Sequence, residues 1–238
     1  MTALILCLVL LLGAPIAGGF LAPRPGAQPA PRVAPPAGRT FTIAQLQYGG
    51  GGDWYANPSG LPNLLREIRE RTGLPVADRP VHVKLTDAAL WTYPYIYITG
   101  HGNIRLTDEE VVLLRRYLLA GGFLHADDNY GLDESFRREM RRVFPDKELV
   151  ELPADHPVYR SFYELRQGLP KIHEHDGKPA QGFGIIHEGR LLVYYSYQSD
   201  LGDGWEDADV HGDPPELREA AFRMGVNLFL YALSQVVS

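Results

Sequence analysis

The sequence predicts an α/β fold with a mainly parallel sheet, helices on both faces and a C-terminal β-hairpin. Three observations carry this expectation. Past residue 40, short strand-like runs alternate with longer stretches of helical periodicity, the pattern of βαβ units. Near the C-terminus two strand-like runs follow each other with only Glu188 and Gly189 between them, a hairpin turn. The 238 residues, 45% of them hydrophobic, suffice for one sizeable core.

The elements follow in order. Phe41 to Tyr48 has the composition of a strand, and Leu61 to Thr72 that of a helix closed by Gly73. Val81 to Leu85 and Tyr95 to Thr99 are the next strands. Thr107 followed by Glu110 forms a capping box for a helix with Val111, Leu114 and Leu118 on one face, ended by Gly121 and Gly122. Phe123 to Ala126 is a short buried strand. Asp133 can cap a helix that reaches Val143 and stops before Pro145; Leu149 to Leu152 is a further short strand. Gly182 to His187 and Arg190 to Tyr197 are the hairpin strands. Pro215 to Leu233 carries a stripe of Leu217, Ala221, Met224, Leu228 and Tyr231, a well-buried helix.

Ahead of this domain (residues 40–238) lie two segments of different character. Residues 1–21 contain the apolar run Ala3 to Leu12, then Gly13, Pro15 and small residues, which fits a secretory signal peptide. No Lys or Arg precedes the run, so an uncleaved N-terminal anchor is the alternative. Residues 22–39 form a linker of Pro, Ala, Gly and Arg, too rich in proline for helix or central strand. The chain is therefore expected to be exported, periplasmic or extracellular, or tethered to a membrane through its N-terminus. Its lone cysteine, Cys7, lies in the apolar run, which excludes a disulfide, a Cys-based zinc site and a cysteine nucleophile in the domain.

The formal charge of −6 is uneven. Three of the 23 basic residues (Arg24, Arg32, Arg39) precede residue 40, leaving 20 against 29 acidic residues in the domain. Such a surface disfavours nucleic acid, whose non-specific affinity comes from Lys and Arg displacing counterions.

In a parallel sheet the ligand-binding crevice lies at the carboxyl ends of the strands. The residues just past each strand are Gly49 to Asp53 and Trp54, then Asp87, then His101 between two glycines, then His125-Ala126-Asp127-Asp128-Asn129-Tyr130-Gly131. His125 and Asp127, two apart on a strand, can face one ligand while Asp128 turns away or caps the loop. His173 and His175 repeat that spacing and are transition-metal ligands or surface histidines. Asp200, Asp203, Glu206 and Asp207 form an acidic stretch, either an oxygen-rich calcium-type lining or a solvated surface turn, and His211 can join either cluster. The Gly49–Gly52 run fits a flexible or tightly packed loop better than an anion cradle, because the Lys and Ser/Thr of a P-loop are missing. His101 is either an acid/base group or a hydrogen-bonded turn histidine; with His125 and Asp127 it makes up the candidate catalytic groups. Asp53, Trp54, Asn129 and Tyr130 are candidate substrate contacts, and Asp128, His173 and His175 candidate ligands of a divalent metal ion.

Several segments together resemble one bacterial family, the domain of unknown function 4159. They are Gln47 to Tyr55, Thr99 to Gly102, Gly121 to Gly131, His156 to Val158 and Asp200 to Glu206, in a match from about Thr40 to Leu233. The family is similar in turn to the ThuA-like and class I glutamine amidotransferase-like group, which implies the flavodoxin-like three-layer sandwich fold. Amidotransferases present a nucleophilic cysteine after the strand equivalent to Phe123–Ala126. This sequence has His125, Ala126 and Asp127 there, so that chemistry is not implied. Two functions fit the residues: a metal-dependent, hydrolase-like enzyme acting outside the cytoplasm on a carbohydrate-like substrate, or a non-catalytic ligand-binding or protein-interaction module at the cell envelope. The second would use the same crevice or an aromatic surface of Tyr93, Tyr95, Tyr194, Tyr195 and Tyr197. A third reading has the acids and histidines only bracing loops.

Overall fold

Strand residues with large apolar side chains on both faces need cover on both, and the structure supplies it. A computed structural model of the chain describes residues 40–236; the signal or anchor segment, the linker and Cys7 lie outside the described residues. The strands are β1 (Ala44–Leu46), β2 (Val81–Val83), β3 (Tyr95–Ile98), β4 (Phe123–Asp127), β5 (Val150–Glu151), β6 (Gln181–His187) and β7 (Arg190–Tyr197). They form one sheet in the order β2-β1-β3-β4-β7-β6-β5. The first five in that order run parallel, and β6 and β5 add antiparallel pairs at one edge. The parallel part reproduces the 2-1-3-4-5 order of flavodoxin-type sheets, with β7 in fifth place.

The helices are α1 (Gly60–Thr72), α2 (Asp108–Leu119), α3 (Asp133–Val143), α4 (Leu201–Trp205), α5 (Ala208–His211) and α6 (Pro215–Val236). Alternation along the strands assigns them to faces. Ile96, Ile98, Leu124, Ala126 and Tyr195 pack with Leu114 and Leu118 of α2 and Phe136 and Met140 of α3. Tyr95, Tyr97, Phe123 and Tyr194 pack with Leu61, Leu64 and Ile68 of α1, Trp205 of α4, and Met224 and Phe229 of α6. Each large side chain so buried stabilises the fold by roughly 1.5–3 kcal/mol relative to an exposed one.

Local signals explain where the helices begin and end. Thr107 and Glu110 make the reciprocal capping box of α2. Gly73, left-handed at φ 71°, closes α1 by donating its N–H to the Arg69 carbonyl. Asp133 does not cap α3; it sits inside the first turn, while Asp128 Oδ1 accepts the Leu132 N–H at 3.1 Å.

Three expectations change. The first strand is shorter than Phe41 to Tyr48: it covers Ala44–Leu46, and Tyr48 lies beyond it, donating its hydroxyl to the Thr99 carbonyl at 3.0 Å. The acidic stretch is not a solvated turn: Asp200, Asp203 and Glu206 are buried around α4. Tyr95, Tyr194 and Tyr195 are fully buried and so form no aromatic surface.

Candidate functional site

The order of the sheet reverses between β1 and β3, which opens a crevice at their carboxyl ends. The chain leaves β3 through Gly100, whose φ of +129° suits glycine alone; a Cβ there would lie 2.6 Å from the Tyr48 hydroxyl and 2.8 Å from Asp53 Oδ1. This close fit brings His101 against Asp53. The His101 main-chain N–H donates to Asp53 Oδ1, and its ring Nδ1 lies 3.0 Å from Oδ2. Burial pushes the Asp53 carboxyl up, but the hydrogen bonds from His101 outweigh it and hold the group below the usual carboxylate range. The His101 side chain is 57% exposed, so its Nε2 is available to solvent.

At β4 the predicted shared face exists, but it is the covered one. His125 is fully buried among Tyr95, Tyr97, Tyr194 and Trp205. Its Nδ1 meets the Tyr95 hydroxyl at 2.8 Å and its Nε2 the Ser196 hydroxyl at 2.9 Å, and burial pushes its pKa down to about 3. Ser196, registered opposite Asp127, also donates to Asp127 Oδ1. Asp127 further accepts the N–H of Gly202 at 2.7 Å, the N–H of Leu201 at 3.3 Å and the Tyr97 hydroxyl at 3.3 Å. Burial is the largest influence on its carboxyl and, against these donors, pushes it up to about 7. Its place is therefore structural, holding the start of α4. Gly202 is required for this approach, since a Cβ would stand 2.9 Å from Asn57 Nδ2, 3.0 Å from the Tyr97 hydroxyl and 3.1 Å from Asp127 Oδ2.

The loop from β7 into α4 is strained: Gln198 (φ 57°) and Asp200 (φ 58°) are both left-handed, a conformation that costs roughly 1–2 kcal/mol for a residue with a side chain. The strain turns Asp200 inward. Its Oδ2 bonds His175 Nε2, and its Oδ1 is buried without a partner. Burial first, then the charges of Asp127, Asp203 and Asp128, push its pKa up to about 9. His175 is sandwiched between Tyr130 (ring centroids 4.5 Å apart) and His173 (5.0 Å, interplanar angle 2°). Its pKa is lowered, chiefly by burial and then by His173, with His101 among the smaller contributors. Both histidine couples lie at the carboxyl ends of strands of the parallel sheet, Asp53–His101 after β1 and β3 and Asp200, which holds His175, after β7. Tyr130, left-handed at φ 71°, leaves nearly half of its ring exposed there.

A second cluster adjoins the first. His173 Nδ1 lies 3.2 Å from Asp203 Oδ2 and is buried with no hydrogen bond. His211 Nε2 lies 3.6 Å from Asp203 Oδ1 and 3.0 Å from Glu206 Oε2. Asn57 braces the cluster, donating to Asp203 Oδ1 at 2.6 Å and accepting from Asn129 Nδ2 at 2.5 Å. Ser59 donates its N–H and hydroxyl to Glu206 Oε1.

The structure therefore sorts the predicted residues. Asp53, His101, Tyr130, His173 and His175 face the crevice. His125 and Asp127 lie beneath it. Asp128 is buried at the start of α3, with burial raising its pKa. Asn129 is buried and spends its amide on Asn57 and Thr99. Trp54 is half-buried in edge contact with Tyr55 and His82. Asn57 and Ser196 carried no signal in the sequence. Asp203 and His211 were visible only as parts of an acidic stretch and its neighbour.

Comparison with known proteins identifies the chain at family level. Residues 42–233 match the family model described as Domain of unknown function (DUF4159). No curated protein matches the chain.

Proposed function

The chain belongs to the DUF4159 family, and we propose that its crevice is the active site of a hydrolase-like enzyme that works with a divalent metal ion on a carbohydrate-like substrate. The observation that carries this reading is the pair of Asp–His couples at the carboxyl end of the sheet, Asp53–His101 and Asp200–His175. Asp53 holds the Nδ1 side of His101, which leaves Nε2 for proton transfer, the orientation a general base needs. In the proposed step His101 Nε2 takes a proton from a water molecule while the water oxygen bonds to the electrophilic carbon. The bond from that carbon to the departing oxygen breaks, this oxygen takes a proton from solvent and His101 returns its proton to solvent, so one water is consumed. A divalent ion in the crevice would supply Lewis acidity for the developing negative charge. The exposed face of Tyr130 offers an apolar platform for a sugar ring, and Trp54 stands next to Asp53 at the rim.

The apolar run Ala3 to Leu12 and the Pro-rich linker support an exported or N-terminally anchored location for this activity. Among the described residues no helix is long and apolar enough to cross a membrane.

The test is hydrolysis of a panel of chromogenic glycosides and acylated sugars by the full chain, supplied with zinc or manganese, against the His101→Ala variant. The reading expects turnover of at least one class and a loss of roughly 100-fold or more in the variant. No turnover across the panel, or equal turnover by a folded variant, overturns it in favour of a binding module.

A further inference from the structure

The geometry points to a single zinc-type transition-metal ion bound by His173, Asp203 and His211, with Glu206 at its side and the remaining coordination positions open to the crevice. This inference rests on the preceding reading for the use of the ion; its location rests on the donor atoms alone. One ligand atom from each of His173, Asp203 and His211 can be chosen so that all three lie within 4.8 Å of one another. Ligand atoms bound tetrahedrally to zinc at about 2.0–2.1 Å stand about 3.3 Å apart. His173 Nδ1 stands 3.2 Å from Asp203 Oδ2 and His211 Nε2 stands 3.6 Å from Asp203 Oδ1, so the carboxylate lies between the two imidazoles with each nitrogen beside one of its oxygens.

The second observation is an unmet need. His173 Nδ1 is buried, points at a carboxylate oxygen and makes no hydrogen bond with it. Close by, Asp200 is fully buried with one carboxylate oxygen unpartnered. Buried polar atoms left without partners are destabilising, and a cation between these groups removes that penalty at His173 and relieves the crowding of acids around Asp203. The donors are also braced from behind, as ligands of functional metal sites are. Asn57 fixes Asp203, Ser59 fixes Glu206, and the His173 main-chain N–H bonds the Ser199 carbonyl.

The donor set selects the ion. Two imidazoles and one or two carboxylates suit zinc and its transition-metal neighbours, whereas magnesium and calcium prefer all-oxygen shells. The histidine side chains are 40% and 27% exposed, so the cluster is not closed by protein. That openness separates it from structural zinc sites, which fill all four positions with protein ligands. His175, although two residues from His173, turns its Nε2 to Asp200 rather than to Asp203 and stands outside the set.

The experiment uses the full chain, stripped with chelator and titrated with zinc, cobalt, magnesium and calcium by calorimetry, with the visible spectrum of the cobalt form as a second readout. One equivalent of zinc or cobalt is expected, with magnesium and calcium at least 100-fold weaker. His173→Ala and His211→Ala should each weaken zinc at least 100-fold while circular dichroism is unchanged, and His175→Ala should keep the full equivalent. Less than one equivalent, unchanged affinity in both His173→Ala and His211→Ala, or calcium bound as tightly as zinc overturns the site. Metal binding without hydrolysis would sink the enzyme reading and leave this site standing; chelator-sensitive hydrolysis with zinc affinity unchanged in His173→Ala and His211→Ala would sink this site and leave the enzyme reading standing.

Discussion

The buried pair His125 and Asp127, joined through Ser196, makes opposite demands on pH, and single substitutions should separate them. His125 has its folded pKa lowered from 6.5 to about 3, so between those values the unfolded chain holds a proton that the native state does not. Its contribution to stability is lost as pH falls through that window. Asp127 has its pKa raised from 3.8 to about 7, so the native state holds the extra proton and stability is lost as pH rises from 3.8 toward 7. Each slope approaches ~1.4 kcal/mol per pH unit, and between pH 4 and 6.5 the two oppose each other in the native chain. His125→Gln removes the first slope. Its stability relative to the unsubstituted protein should fall by up to about 3 kcal/mol as pH rises across that window. Asp127→Asn removes the second and should gain on the unsubstituted protein by a similar amount over the same range. Urea unfolding at pH 4.5, 5.5 and 6.5 with chelator present measures both differences. Differences that do not vary with pH, or that share a sign, would refute the assigned protonation states.

The other predictions follow from contacts. Gly202→Ala gains ~1 kcal/mol in helix propensity but forces three polar contacts of 2.9–3.1 Å apart and disturbs the bond to Asp127; at a pH above 7, where Asp127 is ionised, overpacking of ~1–3 kcal/mol and a weakened charged hydrogen bond of ~1.5–3 kcal/mol outweigh the gain. A net loss of about 2–4 kcal/mol, seen as a fall in Tm of roughly 4–16 °C, is expected, and an unchanged Tm would contradict the packing described. Asn57→Ala removes the brace on Asp203 and should weaken zinc roughly 10–100-fold in the calorimetric titration, with His101 and Asp53 untouched. Thr107→Ala breaks the capping box of α2 and should cost about 1 kcal/mol in urea unfolding without altering metal binding.

Much of the architecture was legible because alternation of strand and helix is a local signal. The capping box at Thr107 and the hairpin turn at Glu188–Gly189 are local too, and both occur as read. The site was legible only in part. Spacing showed that His125 and Asp127 share a face, but in a sheet covered on both sides a shared face need not be an open one. The stretch from Ser199 to Asp207 has no apolar periodicity to announce a helix; α4 forms because Asp127, distant in sequence, receives its first N–H groups. His173 and His175 lie in a loop, where two-residue spacing fixes no common direction. Their rings stack in parallel while their nitrogens address different carboxylates, Asp203 and Asp200.

The hairpin of β6 and β7 has a consequence for engineering. An antiparallel pair returns the chain to the edge it left, so the segment before Gln181 and the segment after Tyr197 meet at the crevice while Glu188 and Gly189 turn at the opposite end. A chain opened at that turn would divide the donor set between two fragments, with His173 on one and Asp203 and His211 on the other. Zinc uptake by the mixed fragments, and by neither alone, would then report their reassembly, making the turn a natural place to split the protein into a metal-gated pair.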